Sequence, residues 1–358
     1  MHYEKPDGQD RIFAGVARLF LAVALSLGLA AGAHAQTITI GLFKGISAGG
    51  PIYIAMEKGY FAAEGLTPKL LFFDAGEPIA VATVSGDVDF GAAGISAGLY
   101  NLASQGALRI IGGMNRDTPG FHAVGFFVSN RAYAAGLRSM TEFAGHSSGV
   151  TTYGSTYHYA LGLLEQKAHI DSKSVRVVAL QSLPNIASAL TGGQIDTAVL
   201  PVPFATPSLQ RGAFKLVGYT SDVAPWQVGV IWTSTRIANQ QPDLVKRFLA
   251  AYRKGGRDYY AAFTSADGKR REGPTAPQTL AIIAKYTDQT VAQIKPGISF
   301  VDPDARIDMA DIANQIAWFK SQGMVKGAVK TRTLIGATLS MFRGTRRLTR
   351  GKALKWQG

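Results

Sequence analysis

The residue types that most often carry out catalysis or bind metals are absent or poorly spaced in this chain. It contains no cysteine, which excludes disulfides, thiolate metal sites and cysteine nucleophiles. Its six histidines show no H-E-x-x-H or other ligand spacing, and no G-x-S-x-G nucleophile elbow occurs. Asp87, Asp89 and Asp196 stand near glycines between helix-like and strand-like segments, a position typical of turn chemistry. The sequence therefore predicts no catalytic residues, no cofactor and no metal site.

Glycines and hydroxyls instead mark two loops that each open a helix. In the loop at 47–50, Gly49 and Gly50 allow close approach of the backbone, and the following Pro51 suits a first helical turn. In the loop at 153–156, Ser155 and Thr156 place two hydroxyls at a helix start. The amides at a helix N-terminus lack partners and carry the positive end of the dipole. Both loops therefore favour an anion, although plain helix capping explains the hydroxyls equally well.

An internal repeat relates these two loops. Shifting the sequence by 107 positions aligns residues 79–82 with 186–189, 88–89 with 195–196, and 47–50 with 154–157, without a gap. Strand-like and helix-like patterns alternate throughout, which predicts α/β units with a mostly parallel sheet. We therefore predict two similar α/β lobes around a hinged cleft. Their loops at the carboxyl ends of the strands should face each other, where open α/β sheets bind ligands.

The predicted cleft is lined by loops 45–51, 74–78 and 92–97 of one lobe and 152–158, 181–185 and 199–204 of the other. His158 is included because it lies one turn into the second helix, and aromatic side chains are candidates for an apolar wall, although about half of them are expected in the ordinary core. The predicted ligand contacts are Ser47, Gly49, Gly50, Gly94, Ser96, Tyr153, Ser155, Thr156, His158, Pro201 and Trp226.

The lobes are predicted to be formed by non-contiguous segments. Residues 36–125 and 226–330 are assigned to the first lobe and 126–225 to the second, so that two crossings form a hinge. Within the returning segment, 228–233 is strand-like and 307–322 is an amphipathic helix ended by Gly323. An apolar stripe at helical spacing also predicts a helix over Leu244, Val245, Phe248, Leu249 and Tyr252.

The N-terminus has the pattern of a secretory signal peptide. Three basic residues precede an apolar run at 19–33, which ends in Ala33-His34-Ala35. The run is shorter than the roughly 20 residues of a membrane-spanning helix. We therefore predict cleavage after Ala35, a mature chain that begins at Gln36, and a soluble periplasmic protein without stable membrane insertion. The absence of cysteine also excludes a lipid-modified N-terminal cysteine.

Charge is distributed unevenly along the chain. The formal net charge is +13, but residues 331–358 contain seven basic residues and no acidic one. This segment is predicted to be a basic, disordered tail outside the folded body. The remaining body is mildly basic, which suits an acidic ligand through long-range attraction. No nucleic-acid-binding motif accompanies the charge, so a nucleic-acid partner is not expected.

Three sequence segments carry a family resemblance. They are Gly41-Leu42-Phe43, the run from Pro51 to Leu66, with the pattern A-x-E-K-G-Y-F-x-x-E-G-L, and Gly86-Asp87-Val88-Asp89-Phe90-Gly91. They resemble the substrate-binding proteins of nitrate-, sulfonate- and taurine-type ABC transporters over about residues 38–330. The resemblance implies a type II periplasmic binding protein fold, a monomer that closes about a hinge, and permease and ATPase partners. It also places the ligand loops at 47–50, 94–96, 153–156 and 201–203.

The resemblance leaves three functions to compare. The favoured function is the solute-binding component of an ABC importer for a small organic anion such as a sulfonate, nitrate or a carboxylate. A periplasmic ligand sensor that docks to a membrane receptor would use the same clamp, so the sequence does not separate the two. The superfamily also includes thiamine-pyrimidine precursor synthases. Those enzymes have a cysteine-rich iron-site motif, which a chain without cysteine cannot form.

Overall fold

Apolar strands alternate with helices and build two five-stranded sheets. The computed structural model describes residues 1–2, 35–327, 329 and 334. The strands are β1 Gln36–Phe43, β2 Leu66–Phe73, β3 Phe90–Gly94, β4 Leu108–Asp117, β5 Val124–Ser129, β6 Ser147–Val150, β7 Arg176–Ala179, β8 Thr197–Pro201, β9 Phe214–Tyr219 and β10 Trp226–Ser234.

The helices follow most of the strands directly. They are α1 Gly50–Glu57, α2 Tyr60–Ala63, α3 Gly76–Ser85, α4 Ala97–Ser104, α5 Asn130–Ala134, α6 Thr156–Ala168, α7 Leu183–Thr191, α8 Val202–Gln210, α9 Thr220–Val223, α10 Thr235–Gln240, α11 Pro242–Phe263, α12 Ala276–Thr287, α13 Val291–Ile294 and α14 Met309–Ser321. Short 3₁₀ turns occur at Ser47–Gly49, Met140–Glu142, Ser172–Ser174 and Lys295–Gly297. The predicted apolar stripe of α11 is confirmed, since its members are all buried.

The two sheets have the same topology. The strand order is β2-β1-β3-β10-β4 in the first and β7-β6-β8-β5-β9 in the second. In each sheet a parallel pair, β1 with β3 or β6 with β8, is followed by an antiparallel strand that has crossed from the other half of the chain. Both sheets belong to one compact unit, Thr37–Gly358, which is distinct from Met1–Gln36. The predicted α/β fold with two similar halves is confirmed.

Equivalent pairs of side chains, each a hydroxyl residue and an aspartate, join the parallel strands in the two lobes. Asp89 accepts hydrogen bonds from the amide and hydroxyl of Thr39, at 2.8 and 3.0 Å, and its own amide donates to the Thr39 hydroxyl. Asp196 accepts from the amide and hydroxyl of Ser147 at 2.9 and 2.8 Å, and its amide donates back to that hydroxyl. These aspartates therefore join strand to strand, a role beyond the turn chemistry expected of them.

The structural repeat contains one inserted residue that the gap-free alignment missed. Gly41 packs its backbone against Ile79 and Val88, and Gly149 packs against Ile186 and Ile195. The partners of these glycines, Ile79 with Ile186 and Val88 with Ile195, differ by 107 positions, but the two glycines differ by 108. The extra residue of the first half therefore lies between Gly41 and Ile79, a stretch that includes surface loops, where length changes are tolerated.

Two short segments cross between the sheets, and one buried carboxylate touches both. The crossings are residues 118–123, after β4, and 220–225, before β10. Asp117 is fully buried, accepts from the amide of Ala123 at 3.0 Å and accepts from the hydroxyl of Thr220. Burial raises the pKa of Asp117 to about 7. Asp117 therefore holds the outgoing and returning segments together.

The C-terminal helix packs against the second half of the chain. Trp318 of α14 lies against Gly162 of α6 so closely that a Cβ at Gly162 would overlap the indole. Asp311 of α14 accepts a hydrogen bond from Tyr159 of α6 at 3.2 Å. The helix comes from the 226–330 segment but buries its apolar face partly on the inserted half. The 226–330 segment therefore packs on both halves of the chain, whereas the sequence assigned it to the first lobe alone.

Residues 3–34 of the predicted signal peptide at 1–35, and all of the predicted tail at 331–358 except Leu334, lie outside the described residues. Leu334 is the one residue of the predicted tail that the structure describes. Its side chain is fully buried and belongs to the largest hydrophobic cluster. Its burial indicates that Leu334 contributes to the core.

Glu165 of α6 makes the free energy of unfolding depend on pH. Its side chain is 6% exposed and makes no hydrogen bond or ion pair with the part of the chain that the structure describes. Burial, followed by the nearby charge of Asp171, raises its pKa to about 7. Between the lower pKa of the unfolded chain and this value the folded state binds more protons, so stability falls as pH rises through 7.

Replacing the Glu165 carboxyl by an amide removes the free-energy cost of ionising a buried group. We expect Glu165→Gln to exceed the wild type in free energy of unfolding by about 3 kcal/mol at pH 8, since the pKa is raised from 4.5 to about 7 and one pKa unit corresponds to about 1.4 kcal/mol. At pH 4 the two proteins should be nearly equal. Urea unfolding at both pH values measures this difference, and a wild type that matches the variant at pH 8 would contradict it.

Candidate functional site

The main cleft lies between the two sheets, at the carboxyl ends of β1, β3, β6 and β8. About 800 Å³ inside it is free of protein atoms, including the part that opens to solvent. Its walls are residues of both halves: Leu42, Phe43, Ile46, Ser47, Ala48, Gly49, Gly76, Glu77, Ala92, Ala93, Gly94, Ser96, Met114, Asn115, Ala123, Val124, Thr151, Thr152, Ser155, Thr156, Tyr157, Pro201, Pro203, Val228, Gly297 and Ser299. The lining is largely apolar with a limited number of polar groups, as is usual for small-molecule sites.

Five helices begin at this cleft. Lining residues include Gly49 before α1, Gly76 at the start of α3, Ser96 before α4, Ser155 before α6 and Pro201 before α8. Each start presents backbone amides that have no partner within the helix, together with the positive end of the helix dipole. The repeat of strand, loop and helix explains the convergence, because helices that follow parallel strands all begin at the same edge. The combined field favours a negatively charged group.

Several lining hydroxyls and one side-chain amide have no hydrogen-bond partner among the residues that the structure describes. Ser47, Thr151 and Ser299 are at most 6% exposed, and their side chains make no hydrogen bond with described residues. Asn115, at the end of β4, is 4% exposed and its side-chain amide is likewise unpaired. Buried polar groups are rarely left unpaired in folded proteins. These groups are therefore available to bind a ligand.

Two further hydroxyls cap helices and keep a donor free. The Ser96 oxygen accepts from the amide of Leu99 at 3.1 Å, and the Ser155 oxygen accepts from the amide of His158 at 3.3 Å. A serine hydroxyl that accepts in this way still has its own proton to donate. Both caps lie in the lining, so each can stabilise its helix and donate to an acceptor in the cleft at the same time.

The two lobes touch directly at one side of the cleft. Thr156 donates its hydroxyl to the carbonyl of Ile95 at 2.8 Å, and the amide of Ala97 donates to the carbonyl of Gly154 at 2.8 Å. Gly94 makes this approach possible, since a Cβ there would overlap the Thr156 hydroxyl and lie 3.0 Å from its Cβ and Cγ2. The conformation described is therefore one in which the lobes are closed on each other.

Seven of the eleven predicted ligand contacts lie in the lining: Ser47, Gly49, Gly94, Ser96, Ser155, Thr156 and Pro201. Gly50 follows the lining residue Gly49, but its own role is packing, since a Cβ there would lie 2.8 Å from the ring of Tyr259. The structure brings these loops together from both halves. Their contact with a ligand stays a prediction.

Tyr153, His158 and Trp226 lie outside the lining. Tyr153 is 60% exposed, and its hydroxyl donates to the carbonyl of Val177 on the outer strand β7. The His158 ring accepts from the amide of Gly154 at 3.0 Å and packs edge-on against Trp318, on the side of α6 that faces α14. Burial lowers the pKa of His158 to about 4. It is therefore a neutral, buried support of the loop.

Trp226 belongs to the core. It is 1% exposed, its indole N–H donates to the hydroxyl of Thr220 at 3.3 Å, and its ring packs on Tyr159. It therefore supports the second crossing between the lobes, and the aromatic part of the predicted ligand wall is not formed by this residue.

The one charged side chain of the lining, Glu77, has the sign opposite to that expected for an anion site. Among the described residues, the lining includes no lysine, arginine or histidine, and Glu77 is its only carboxylate. Tyr157 also lines the cleft, and burial raises the pKa of its phenol well above the usual range, so it stays neutral. Attraction of an anion would therefore depend on dipoles and neutral donors.

Two polar lining residues that the sequence did not predict come from outside the aligned loops. Asn115 lies on β4, and Ser299 lies in the loop before α14, far along the chain from the repeat. Glu77 lies inside the predicted loop 74–78 but carries the charge opposite to that expected. The available signal for Asn115 was its position: it is a buried asparagine near the end of β4, just before the chain crosses to the other lobe.

Neither a cluster of metal-ligating side chains nor a membrane-spanning helix occurs among the described residues. They contain no group of three or more histidine, aspartate or glutamate side chains placed to hold a metal ion. Within the same ranges, no helix has the length and apolar character needed to cross a membrane.

Solved structures with the same architecture define the class of fold. The alkanesulfonate-binding protein SsuA from Xanthomonas axonopodis pv. citri, bound to MOPS, superposes with a TM-score of 0.66 at 17% identity over 84% of this chain and 98% of its own. A Candida albicans protein with the generic periplasmic binding protein fold superposes with a TM-score of 0.64 at 13% identity, over 88% and 99%. The fold is that of the periplasmic binding proteins, as predicted.

The chain belongs to the NMT1/THI5-like family, whose model matches residues 48–263, more than half of the sequence. A curated relative, a putative aliphatic sulfonates-binding protein from Bacillus subtilis (strain 168), is 27% identical over 247 residues, which are 67% of this chain and 70% of the relative. The family resemblance read from the run that begins at Pro51 is confirmed.

Proposed function

We propose that this chain is an exported solute-binding component of an ABC importer that binds a small organic anion between its lobes. The observation that carries the proposal is the convergence of five helix starts and several unpaired donors in one cleft shared by both lobes. Amides and hydroxyls fixed in place bind an anion without the reorganisation that flexible lysines would require. Sulfonate, nitrate and carboxylate groups all suit such a site.

The relatives support the transport role. The solved SsuA structure and the Bacillus relative are both named as sulfonate-binding proteins. A permease and an ATPase are the partners that such a role requires, and a periplasmic location is where a ligand carrier would meet them. The predicted signal peptide agrees with that location.

Binding without turnover is part of the proposal. The polar side chains of the lining are hydroxyls, one amide and one carboxylate, and the lining contains no histidine that could activate one of these hydroxyls. The protein should therefore release its ligand unchanged.

Ser155 provides the direct test of the anion site. A thermal-shift screen of small anions first identifies a ligand, because one present at about 100 times its Kd stabilises by about 2.7 kcal/mol. Ser155→Ala should then weaken binding by about five- to hundredfold, since an unsatisfied buried polar group costs about 1–3 kcal/mol. Calorimetric titration of wild type and variant measures the change.

Ser182 provides a matched control. It caps α7 in the same lobe by accepting from the amide of Asn185 at 3.3 Å, the same distance as in the Ser155 cap, and it lies outside the lining. Both alanine variants should lose about 1 kcal/mol of stability from the lost cap. Only Ser155→Ala should lose affinity. Equal affinities for the two variants would show that Ser155 is a cap alone.

A further inference from the structure

Asp117 is a buried carboxylate at the point where both crossings between the lobes meet. It ends β4, its side chain is fully buried, and it accepts from the amide of Ala123, in the first crossing, at 3.0 Å. It also accepts from the hydroxyl of Thr220, at the start of the second crossing. Ala123 and the following Val124 line the ligand cleft. A rotation of one lobe about the two crossings therefore changes the surroundings of this carboxyl group.

The hydrogen bonds around Asp117 can be satisfied with the carboxyl group ionised or protonated. The hydroxyl of Thr220 has two acceptors within reach, Asp117 and the carbonyl of Val124 at 3.3 Å. When Asp117 is ionised, the hydroxyl donates to it. When Asp117 is protonated, the carboxyl group can donate to the Thr220 oxygen, and the Thr220 hydroxyl can donate to Val124. Protonation therefore costs the closed conformation no hydrogen bond.

No positive charge compensates the ionised form of Asp117 among the described residues. The charge of Asp222 on α9 opposes its ionisation. The ring of His122, in the first crossing, contacts the hydroxyl of Ser221 at 2.8 Å. The other titratable or charged groups nearby bond elsewhere: Arg116 to the side chain of Gln227, Asp311 to the amide of Gln227, and Tyr219 stacks on His122. Burial, more than Asp222, raises the pKa of Asp117 to about 7.

We propose that protonation of Asp117 favours the closed conformation, so that the protein binds its ligand more tightly in mild acid than above neutral pH. Opening at the crossings would admit water to the carboxylate and favour its ionised form. Between the pKa of a solvated carboxyl group and about 7, the closed state then binds more protons than the open state. Closure therefore weakens as pH rises through 7. The effect on the lobes is independent of the ligand, and the effect on affinity rests on the proposed function.

Asp117→Asn imitates the protonated carboxyl group at every pH. Its amide group can donate to the Thr220 oxygen while its carbonyl accepts from Ala123. The probe is propane-1-sulfonate, whose charge is constant between pH 5.5 and 8.5, and calorimetry measures its affinity. The wild type should bind it roughly tenfold more weakly at pH 8.5 than at pH 5.5, a common size for coupling between two sites. Asp117→Asn should bind equally at both pH values, as tightly as the wild type at pH 5.5.

Thr220→Val is a second variant that keeps the titrating group. The Thr220 hydroxyl lowers the pKa of Asp117 by donating to the ionised form. Its removal should therefore move the midpoint of the pH dependence to higher pH, which a purely structural role of Asp117 would not explain. This variant keeps the test decisive if Asp117→Asn does not fold.

Glu165→Gln is the matched control. Glu165 is another buried carboxyl group with a pKa raised to about 7, but it lies on α6, away from both crossings. Opening of the lobes should leave it buried, so its protonation favours neither conformation. The variant should therefore keep the wild-type change of affinity with pH.

The absence of cysteine from the sequence allows a readout that needs no ligand. Val81→Cys on α3 and Ser188→Cys on α7 place labels at exposed, repeat-equivalent positions of the two lobes. Energy transfer between dyes at these positions reports the distance between the lobes. The closed fraction of the ligand-free protein should fall from pH 5.5 to 8.5, and Asp117→Asn in the same labelled protein should hold it constant.

The outcomes separate the role of Asp117 from the proposed ligand. A closed fraction that is independent of pH, or a pH dependence that Asp117→Asn retains in full, contradicts the role of Asp117. If propane-1-sulfonate does not bind, the result counts against the proposed sulfonate ligand alone, and the energy-transfer measurement still decides whether Asp117 controls closure.

Discussion

Replacing Gly94 with alanine is expected to weaken ligand binding by about ten- to hundredfold while the lobes stay folded. The added methyl group would overlap the hydroxyl of Thr156 across the cleft. Thr156 cannot easily turn away, because that hydroxyl is bonded to the carbonyl of Ile95. Overpacking of this kind typically costs about 1–3 kcal/mol, which corresponds to the stated loss of affinity.

The penalty falls on the closed state alone. When the lobes separate, Gly94 and Thr156 move apart and the methyl group meets no obstacle. A ligand that contacts both lobes binds the closed state better, so its apparent affinity falls with the population of that state. The effect is therefore on closure, and each half should retain its structure.

Gly112→Ala is the matched control. Gly112 lies on β4 of the same sheet, and a Cβ there would approach its nearest neighbour, the Ala305 side chain, at an ordinary 3.4 Å. Calorimetry with the tightest-binding sulfonate or carboxylate compares the three proteins. Small-angle scattering adds a readout that needs no ligand, since Gly94→Ala should have the larger radius of gyration. Wild-type affinity in Gly94→Ala would show that closure does not bring these loops together.

The fold could be predicted from the sequence because its signals are local and repeated. The glycine-rich start of α1, the stripe of α11 and the paired Val88-Asp89 and Ile195-Asp196 segments each fix an element and its register. The repeat then placed the loops at equivalent positions. The part that failed, an offset without a gap, depended on loop length, which packing does not constrain.

The sequence could predict a lining residue only where the position of that residue on the backbone determines that it lies in the cleft. Ser96 and Ser155 lie in the cleft because they precede helices that follow parallel strands. Whether a side chain within a helix or strand faces the cleft or the core depends on which segment, distant in sequence, packs against it. His158 and Trp226 face the core because α14 and the second crossing pack against them, and neither contact has a local signal.

Asp311 is the centre of a buried polar network formed by residues of α14, β10 and α6. It accepts from the amide of Gln227 on β10 and from the side chain of Gln315, both at 2.7 Å, and from the hydroxyl of Tyr159 on α6. Burial raises the pKa of Asp311 to about 7, although these donors favour the ionised form. The network joins the C-terminal helix to the returning strand and to the second lobe.

Asp311→Ala is therefore expected to lower the free energy of unfolding by about 3 kcal/mol or more. The change leaves the Gln227 amide, and one donor each of Gln315 and Tyr159, without the acceptor they now share, and each unsatisfied buried group costs about 1–3 kcal/mol. Asp311→Asn should lose less, because its amide group can donate to the Tyr159 hydroxyl while the remaining oxygen accepts from Gln227. Urea unfolding at pH 7 orders the variants.

Asp308→Ala is the control on the same helix. Asp308 caps α14 by accepting from the amides of Ala310 and Asp311 from a less buried position, so its loss should cost only about 1 kcal/mol. The expected order of stability is wild type, then Asp308→Ala and Asp311→Asn, then Asp311→Ala. If Asp311→Ala is no less stable than Asp308→Ala, the network does not hold the C-terminal helix in place. The packing of Trp318 and Phe319 against α6 and α4 would then account for its position.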